Sequence, residues 1–299
     1  MRYHVIHTTR YEYADGVTLS HNLLRLRPRD HGMQNCLQHE LVVAPTPALS
    51  RERLDYFGNY VVWFSLHAPH TELTITARSE VEVELGLQPD ATQGASWEQV
   101  RQTLLTASDA QTLSARQFSF DSPYVRRSPE MADYADASFP RGRPFLECVM
   151  DLTERIHHDF EFLPGSTKVG TPVLDVLRTR RGVCQDFAHL QIGCLRSLGL
   201  PARYVSGYIA TTPPPGQPRL MGTDASHAWV SVFEPDFGWI DFDPTNGLIP
   251  SDSHITVAWA RDYDDLAPVK GILVGGQHQR LKVEVDVAPA DAPHPRTSS

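Results

Sequence analysis

The sequence reads CQDFAHLQIGCLRSLGLP from Cys184 to Pro201. Apolar side chains recur through this stretch at helical spacing, and Gly199 followed by Pro201 is a common signal for the end of a helix. The apolar stripe consists of Phe187, Leu190, Cys194 and Leu198. This stretch therefore predicts an amphipathic helix that begins at Cys184 and buries one face against a core.

Strand signals follow this helix. Residues 202–209, 228–233 and 239–242 have the composition of strands, and residues 281–287 alternate between apolar and polar side chains. The order of elements is therefore a helix and then an antiparallel sheet. We assign residues 144–287 to a domain in which the cysteine-bearing helix packs on that sheet.

Two further helices are predicted at the start of this domain. Phe145, Val149, Leu152 and Ile156 lie on one helical stripe because they are four, three and four residues apart. Thr171-Pro172 is a cap followed by a proline suited to the first helical position, and it opens a short helix that ends at Gly182.

The amino-terminal part of the chain has the alternation of a β domain. Between Leu73 and Leu85 apolar residues alternate with threonine, arginine and glutamate, as in a half-buried antiparallel strand. A first strand over residues 3–13 leads into Ala14-Asp15-Gly16, which predicts a hairpin turn. Further strands are predicted at residues 41–43 and 60–66. We therefore expect residues 1–88 to form an all-β, sandwich-like domain, which makes the chain α+β.

Residues 89–143 have a different character and predict a partly helical connector. Ser96-Trp97-Glu98-Gln99 is a capping-box pattern that starts a short helix through Leu105, and polar, proline-containing sequence follows. At the other end, residues 288–299 contain three prolines and predict a disordered tail.

Composition excludes several classes of function. The 299 residues carry a formal net charge of −9, which argues against a nucleic-acid binder because neutralising phosphates needs a basic face. Neither a signal sequence nor an apolar stretch long enough to span a membrane is present, so the expected location is cytoplasmic. Four cysteines without a CxxC pair are expected to be reduced and offer no paired zinc ligands, so no cofactor or metal is expected.

Cys184 is a candidate nucleophile because of its place at the start of a helix. Free N–H groups and the positive end of the helix dipole favour a thiolate there, and the backbone N–H can stabilise an oxyanion. A free cysteine beside an apolar stripe is more often a small core residue, and Cys148 and Cys194 are expected to be buried and inert in this way.

His227 and an aspartate farther along the chain can complete a catalytic group with Cys184. His227 lies at the start of a predicted strand, on the side opposite Ala228 and Val230, where an imidazole can accept the thiol proton and later deliver it. A carboxylate at the end of the next strand can orient that ring. Strand alternation alone leaves Asp241 and Asp243 equally suited to this role. Any one of these residues has an ordinary structural explanation, so the hypothesis rests on their conjunction.

The segments around these residues resemble a known family. Residues 180–189 and 199–208, together with the His227 and Asp243 segments, are similar to the bacterial transglutaminase-like superfamily of cysteine enzymes. Further segments resemble the β-rich amino-terminal region and the closing segment of bacterial members: residues 7–13, 24–29, 55–59, 261–263 and 268–271.

The resemblance implies a papain-like core with a Cys184, His227 and Asp243 triad, so it favours Asp243 over Asp241. It also implies that Tyr208 touches substrate. Members share a thioester on the cysteine, and hydrolysis of a peptide or amide by a cysteine protease or amidase is the first expectation here, since it needs only water as acceptor. Transfer to an amine by a transglutaminase and deamidation of glutamine are the alternatives within this chemistry.

The sequence is also compatible with two hypotheses from other classes of function. One is a catalytically silent peptide-binding module that keeps the fold, in which the β domain carries out recognition. The other is a metal-dependent hydrolase that uses Cys184, His189 and His227 as ligands. In the leading hypothesis the partner is a peptide or protein substrate, neither nucleic acid nor a membrane is a partner, and the oligomeric state is not determined by the sequence.

Overall fold

The computed structural model describes residues 1–86, 90–106, 108–211, 226–276 and 278–290. Its strands are β1 (Arg2–Leu24), β2 (Gln34–Ala44), β3 (Leu49–Leu54), β4 (Tyr60–Leu66), β5 (His70–Val83), β6 (Glu161–Phe162), β7 (Arg181–Gly182), β8 (Ala202–Ile209), β9 (Ser226–Glu234), β10 (Gly238–Phe242), β11 (His254–Ala260), β12 (Val269–Gly275) and β13 (Gln279–Pro289). Its helices are α1 (Trp97–Thr106), α2 (Ala110–Arg116), α3 (Pro129–Asp136), α4 (Phe145–Asp159), α5 (Val173–Thr179), α6 (Cys184–Ser197) and α7 (Tyr263–Leu266), with a 3-10 turn at Gln117–Ser119.

The predicted α+β class is confirmed by this arrangement. Among the described residues, seven strands form the amino-terminal antiparallel sheet, in the order β2-β5-β1-β4-β3 with β12 and β13 also paired to β1. The predicted alternation of β5 is seen directly, since Leu73 and Ile75 are buried and the intervening side chains face outward. A second antiparallel sheet, β10-β9-β8-β11, supports α6. We call it the catalytic sheet.

The hairpin predicted at residues 14–16 is wrong. β1 runs through that point without interruption and is 23 residues long in all. Its register with β5 shifts between Glu12 and Val17. The first half of β1 pairs with β5 and β13 and the second half with β4 and β12, so the local turn signal is absorbed as a bulge within a strand that has partners on both sides.

The last strand was predicted to belong to the domain at residues 144–287, and it lies elsewhere. β13 pairs with β1 from Tyr3 to Tyr13, and β12 pairs with the second half of β1. Alternation of apolar and polar residues identifies a strand with one buried face, but it does not determine which strand pairs with it. Of the predicted tail, Ala288 and Pro289 extend β13, and residues 291–299 lie outside the described residues.

The connector at residues 89–143 packs against the back of α6. Val125 and Met131 are buried there, and Gly193 of α6 lets the helices approach so closely that a Cβ at that position would lie 2.4 Å from the Met131 sulfur. The fully buried Arg196 of α6 donates to the carbonyl of Phe118 and to the Ser122 hydroxyl. The connector is therefore part of the core that positions α6.

Side-chain amides join the amino-terminal sheet to β11, the edge strand of the catalytic sheet. Gln34 donates to the Thr256 carbonyl and accepts from its N–H, both at 2.8 Å. Asn59 makes the same pair of bonds with Trp259, both at 3.0 Å. Backbone groups along an edge strand need partners, and these two amides supply them from the other domain.

Candidate active site

Cys184 is the first residue of α6, and the turn before it is shaped by a buried carboxylate. Asp186 accepts from the Val183 N–H at 2.9 Å and from the Thr167 hydroxyl at 2.6 Å. Gly182 permits this turn, because a Cβ there would lie 2.8 Å from the Asp186 Cβ. The helix starts at the predicted residue, and the Cys184 side chain is partly exposed.

His227 and Asp243 meet at the end of the catalytic sheet. The Nε2–H of His227 donates to Asp243 Oδ2 at 2.7 Å, and both side chains are buried. His227 lies one residue after the start of β9, and Asp243 directly follows β10, so adjacent antiparallel strands bring the two together. This contact leaves Nδ1 of the ring for another partner.

Electrostatics ties His227 to both neighbours. Burial lowers the pKa of the imidazole, but hydrogen bonds to Asp243 and to the Cys184 thiol outweigh burial and raise that pKa to about 10. The Cys184 thiol therefore lies close enough to the ring to influence its pKa. The structure brings Cys184, His227 and Asp243 together, and the raised pKa of His227 favours a protonated imidazole beside the thiol.

Asp243 is held ionised by an unusual number of donors. Burial raises its pKa, yet hydrogen bonds from His227, His254 and Asn246 hold the pKa well below the usual range of a carboxyl group. His254 Nε2 lies 3.2 Å and Asn246 Nδ2 2.6 Å from Oδ2, while the backbone N–H groups of Thr245 and Asn246 donate to Oδ1. Such a fully satisfied carboxylate is fixed in position.

The choice between the two aspartates is resolved by geometry. Asp241 accepts from the Trp229 indole N–H at 2.8 Å, whereas Asp243 binds His227. The resemblance pointed to Asp243, and alternation alone could not separate the two.

Tyr208, expected at the substrate, lies in the interior. Its side chain is 2% exposed, and its hydroxyl is hydrogen-bonded to His7 Nδ1 of β1 at 3.0 Å. The structure thus gives Tyr208 a place in the junction between the two sheets, and it does not bring this side chain to an open cleft.

Cys184, His189 and His227, the ligands of the alternative metal-dependent hydrolase, do not gather into one group among the described residues. His189 is buried and accepts from the Tyr263 N–H at 3.2 Å, and burial lowers its pKa to about 3. In the described part of the chain, the one set of three candidate ligands is His227, Asp243 and His254, with ligand atoms within 4.8 Å of one another. There, both rings share the same Asp243 oxygen through hydrogen bonds.

Two residues of this site were missed by sequence reasoning. Asn246 follows Asp243 in a turn after Pro244, where a side-chain contact with the preceding aspartate is a common feature that could have signalled it. His254 begins β11, a strand that the sequence analysis did not identify, so its direction could not be assigned. The other cysteines of the core agree with expectation, because Cys148 and Cys194 are buried and burial raises the pKa of each thiol to about 12.

Among the described residues, no helix combines the length and apolar character that a membrane crossing requires.

Two family models match the chain. The bacterial transglutaminase-like N-terminal region matches residues 3–82, and the transglutaminase-like superfamily matches residues 137–244, which include all three residues of the candidate triad. The two matched ranges correspond to most of the amino-terminal sheet and to the region that carries α6, β8, β9 and β10.

Individual proteins are similar over different spans. An uncharacterized protein of Mycobacterium tuberculosis is 41% identical over 303 residues, covering 98% of this chain and 95% of the relative. A protein-glutamine gamma-glutamyltransferase of Pseudomonas aeruginosa is 33% identical over 106 residues, covering 34% of this chain and 16% of that protein. The crystal structure of "a Putative Cysteine Protease from Cytophaga hutchinsonii" has the same fold, with a TM-score of 0.76, 22% identity, and coverage of 99% of this chain and 92% of that one. By its matched regions, its fold and the residues gathered at the start of α6, the chain belongs to the transglutaminase-like superfamily.

Proposed function

We propose that this protein is a cysteine enzyme that acylates Cys184 with a peptide or amide substrate and then hydrolyses the thioester. The observation that carries the proposal is the grouping of Cys184, His227 and Asp243, in which Cys184 begins α6, His227 is hydrogen-bonded to Asp243, and the Cys184 thiol influences the pKa of the His227 ring. A thiolate beside an imidazolium is the arrangement that nucleophilic acyl transfer requires.

The reaction follows from the roles that these three side chains can take. The Cys184 sulfur attacks the carbonyl carbon, and negative charge develops on the carbonyl oxygen, near the N–H groups that begin α6. His227, which Asp243 keeps protonated, delivers its proton to the leaving nitrogen as the C–N bond breaks. Water then attacks the thioester while His227 accepts a proton from it, and the C–S bond breaks to release the acid.

The acceptor decides which reaction results. We take water as the acceptor, which makes the enzyme a protease or amidase. Transfer to a primary amine uses the same thioester, and the matched segment of the Pseudomonas aeruginosa gamma-glutamyltransferase favours it as the second candidate.

The proposal is tested by trapping the thioester. Wild-type protein is incubated with peptide, glutamine-amide and isopeptide substrates, with and without a primary amine, and products and intact protein mass are measured. We expect an acyl adduct on Cys184, carboxylic acid product without amine, and loss of both in Cys184→Ala.

Cys36→Ser is the matched control, because Cys36 is the other partly exposed thiol of the chain. It should react as wild type does. Turnover that survives in Cys184→Ala would refute the proposal, and products formed only when amine is present would establish the second candidate instead.

A further inference from the structure

A cavity of about 460 Å³ lies between the amino-terminal sheet and the catalytic sheet. Met33 and Leu85 line it from the amino-terminal side, and Arg203, Trp229 and Asp241 line it from the catalytic sheet. Arg203 and Asp241 are each in register with Ser231, and Trp229 is two residues from Ser231, so these last three lie on one face of the catalytic sheet. Its described walls include none of Cys184, His227 and Asp243.

Charges of both signs occupy one row of the catalytic sheet at this cavity. Arg203 of β8 and Asp241 of β10 are both paired in register with Ser231 of β9. Their Cα atoms are therefore two strand spacings apart, about 10 Å, on the same face. Ser231 between them is fully buried, and its hydroxyl has no hydrogen-bond partner.

The Arg203 guanidinium is stacked between aromatic rings, and its Nε–H has no acceptor among the described residues. Its Cζ atom lies 4.1 Å from the ring centroid of Trp239 and 3.8 Å from that of Trp259. The two indole rings therefore cover the faces of the guanidinium and leave its edge, where the N–H groups lie, uncovered. The residue is 7% exposed, and its Nε atom is buried without a hydrogen-bond partner within the described part of the chain. Burying a guanidinium without an acceptor is costly, which is why such groups are normally paired.

Asp241 is only partly satisfied. One of its oxygens accepts from the Trp229 indole N–H, and across the described residues no cation lies within ion-pair distance of the carboxylate. Burial lowers the pKa of Arg203 to about 9, and the charge of Asp241 acts in the opposite direction on that pKa without a direct bond. A ligand of one charge would leave the opposite charge of the cavity unpaired, whereas a ligand with both charges would satisfy both.

The other walls include polar groups, among them His31, Glu84 and His254, and a set of apolar and aromatic side chains. The apolar and aromatic side chains include Phe237, Trp239, Ile240 and Ile249, which provide space for a hydrophobic side chain. A volume of this size is within the range of small-molecule sites.

We propose that this cavity binds an α-amino acid with an apolar side chain, its carboxylate on the Arg203 guanidinium and its ammonium on Asp241. A planar carboxylate accepts two parallel N–H bonds from the edge of a guanidinium, which is the edge that the two indole rings leave open. No triad residue lines the cavity, but its wall includes His254, which is hydrogen-bonded to Asp243. The proposal does not depend on the reaction that Cys184 performs.

The test compares three probes on the wild-type protein: L-phenylalanine, L-phenylalaninamide, which lacks the carboxylate, and N-acetyl-L-phenylalanine, which lacks the ammonium. Binding is measured by isothermal titration calorimetry and by the fluorescence of the tryptophans that line the cavity. We expect saturable binding of L-phenylalanine and affinities about 10- to 100-fold weaker for each of the other two, as loss of a charged hydrogen bond predicts.

Two substitutions test which cavity residue binds the carboxylate of the ligand and which binds its ammonium. Arg203→Met should abolish the preference for phenylalanine over its amide, and Asp241→Asn, which can still accept from Trp229, should abolish the preference over the acetylated form. Glu84→Gln is the control, since Glu84 is an exposed acid at the same cavity and should change each affinity little.

Because the probe comparison uses wild-type protein, it decides the proposal even if a variant fails to fold. Equal affinities for the three probes, or the absence of saturable binding of L-phenylalanine, would overturn it. Equal binding of phenylalanine and its acetylated form would also overturn it, since Asp241 would then take no part.

Discussion

Asp243 controls the protonation of His227, and this gives the first prediction. Replacement by Asn removes the negative charge but can keep a hydrogen bond, so the pKa of His227 should fall from about 10 towards 6.5. A titration of the His227 ring by NMR measures this directly. An unchanged His227 titration in Asp243→Asn would show that the carboxylate is not the cause of the raised pKa.

The same pKa shift predicts how stability depends on pH. A histidine whose pKa is higher in the folded state contributes stability that is complete below its unfolded pKa of about 6.5 and is lost as the pH rises through the folded value of about 10. Urea unfolding of the wild type should therefore show a decline in the free energy of unfolding between these two values. Asp243→Asn should decline less over that interval, and parallel curves for the two proteins would contradict the prediction.

Edge strand β11 supplies a prediction at the scale of an element. Asn59→Ala removes both bonds to the Trp259 backbone and leaves those groups without partners, which should cost about 1–3 kcal/mol in the free energy of unfolding. Gln38→Ala, an exposed amide on β2, is the control and should cost less than about 0.5 kcal/mol. Equal effects of the two substitutions in urea unfolding would mean that the junction does not depend on this amide.

Close packing between β8 and β11 gives another prediction at this scale. A Cβ on Gly207 would lie 2.1 Å from the Ile255 carbonyl oxygen and 2.5 Å from the Trp229 ring, so Gly207→Ala must displace one of them. We expect a loss of about 1–3 kcal/mol in the free energy of unfolding. Gly16→Ala, where the Cβ would meet nothing within 4 Å, should be near neutral, and a neutral Gly207→Ala would contradict the close approach.

The elements with strong periodicity could be predicted from the sequence. β4 and β8 occupy the predicted residues, and α6 begins at Cys184 because the apolar stripe and its end signals agree. β11 was missed because it is a short, nearly continuous buried run without alternation. Asn246 and His254 were missed for a related reason: their role depends on where a turn and an unrecognised strand place them in space.

The whole molecule is less clearly separated into two domains than its sequence indicates. β12 and β13, from the end of the chain, pair with β1 near its start, and the buried Tyr3 and Val5 share one hydrophobic cluster with Phe187 of α6. Composition along the chain revealed two regions but could not show that the second returns to the first, because partners of a strand are set by long-range packing.

This topology predicts a single cooperative unfolding transition. Differential scanning calorimetry should show one peak, and a fragment of residues 1–88, which lacks β12 and β13, should not give the dispersed NMR spectrum of a folded domain. Two separate transitions, or a folded fragment, would contradict it.

The central claim, that Cys184 is a nucleophile activated by His227, is tested most directly by the rate at which iodoacetamide alkylates Cys184 at pH 7. We expect faster labelling of Cys184 than of Cys36. We also expect a decrease of about 10-fold or more at Cys184 in His227→Ala, because an unassisted thiol is only a few per cent thiolate at that pH. Labelling of Cys184 at the rate of Cys36, or at a rate unaffected by His227→Ala, would contradict the central claim.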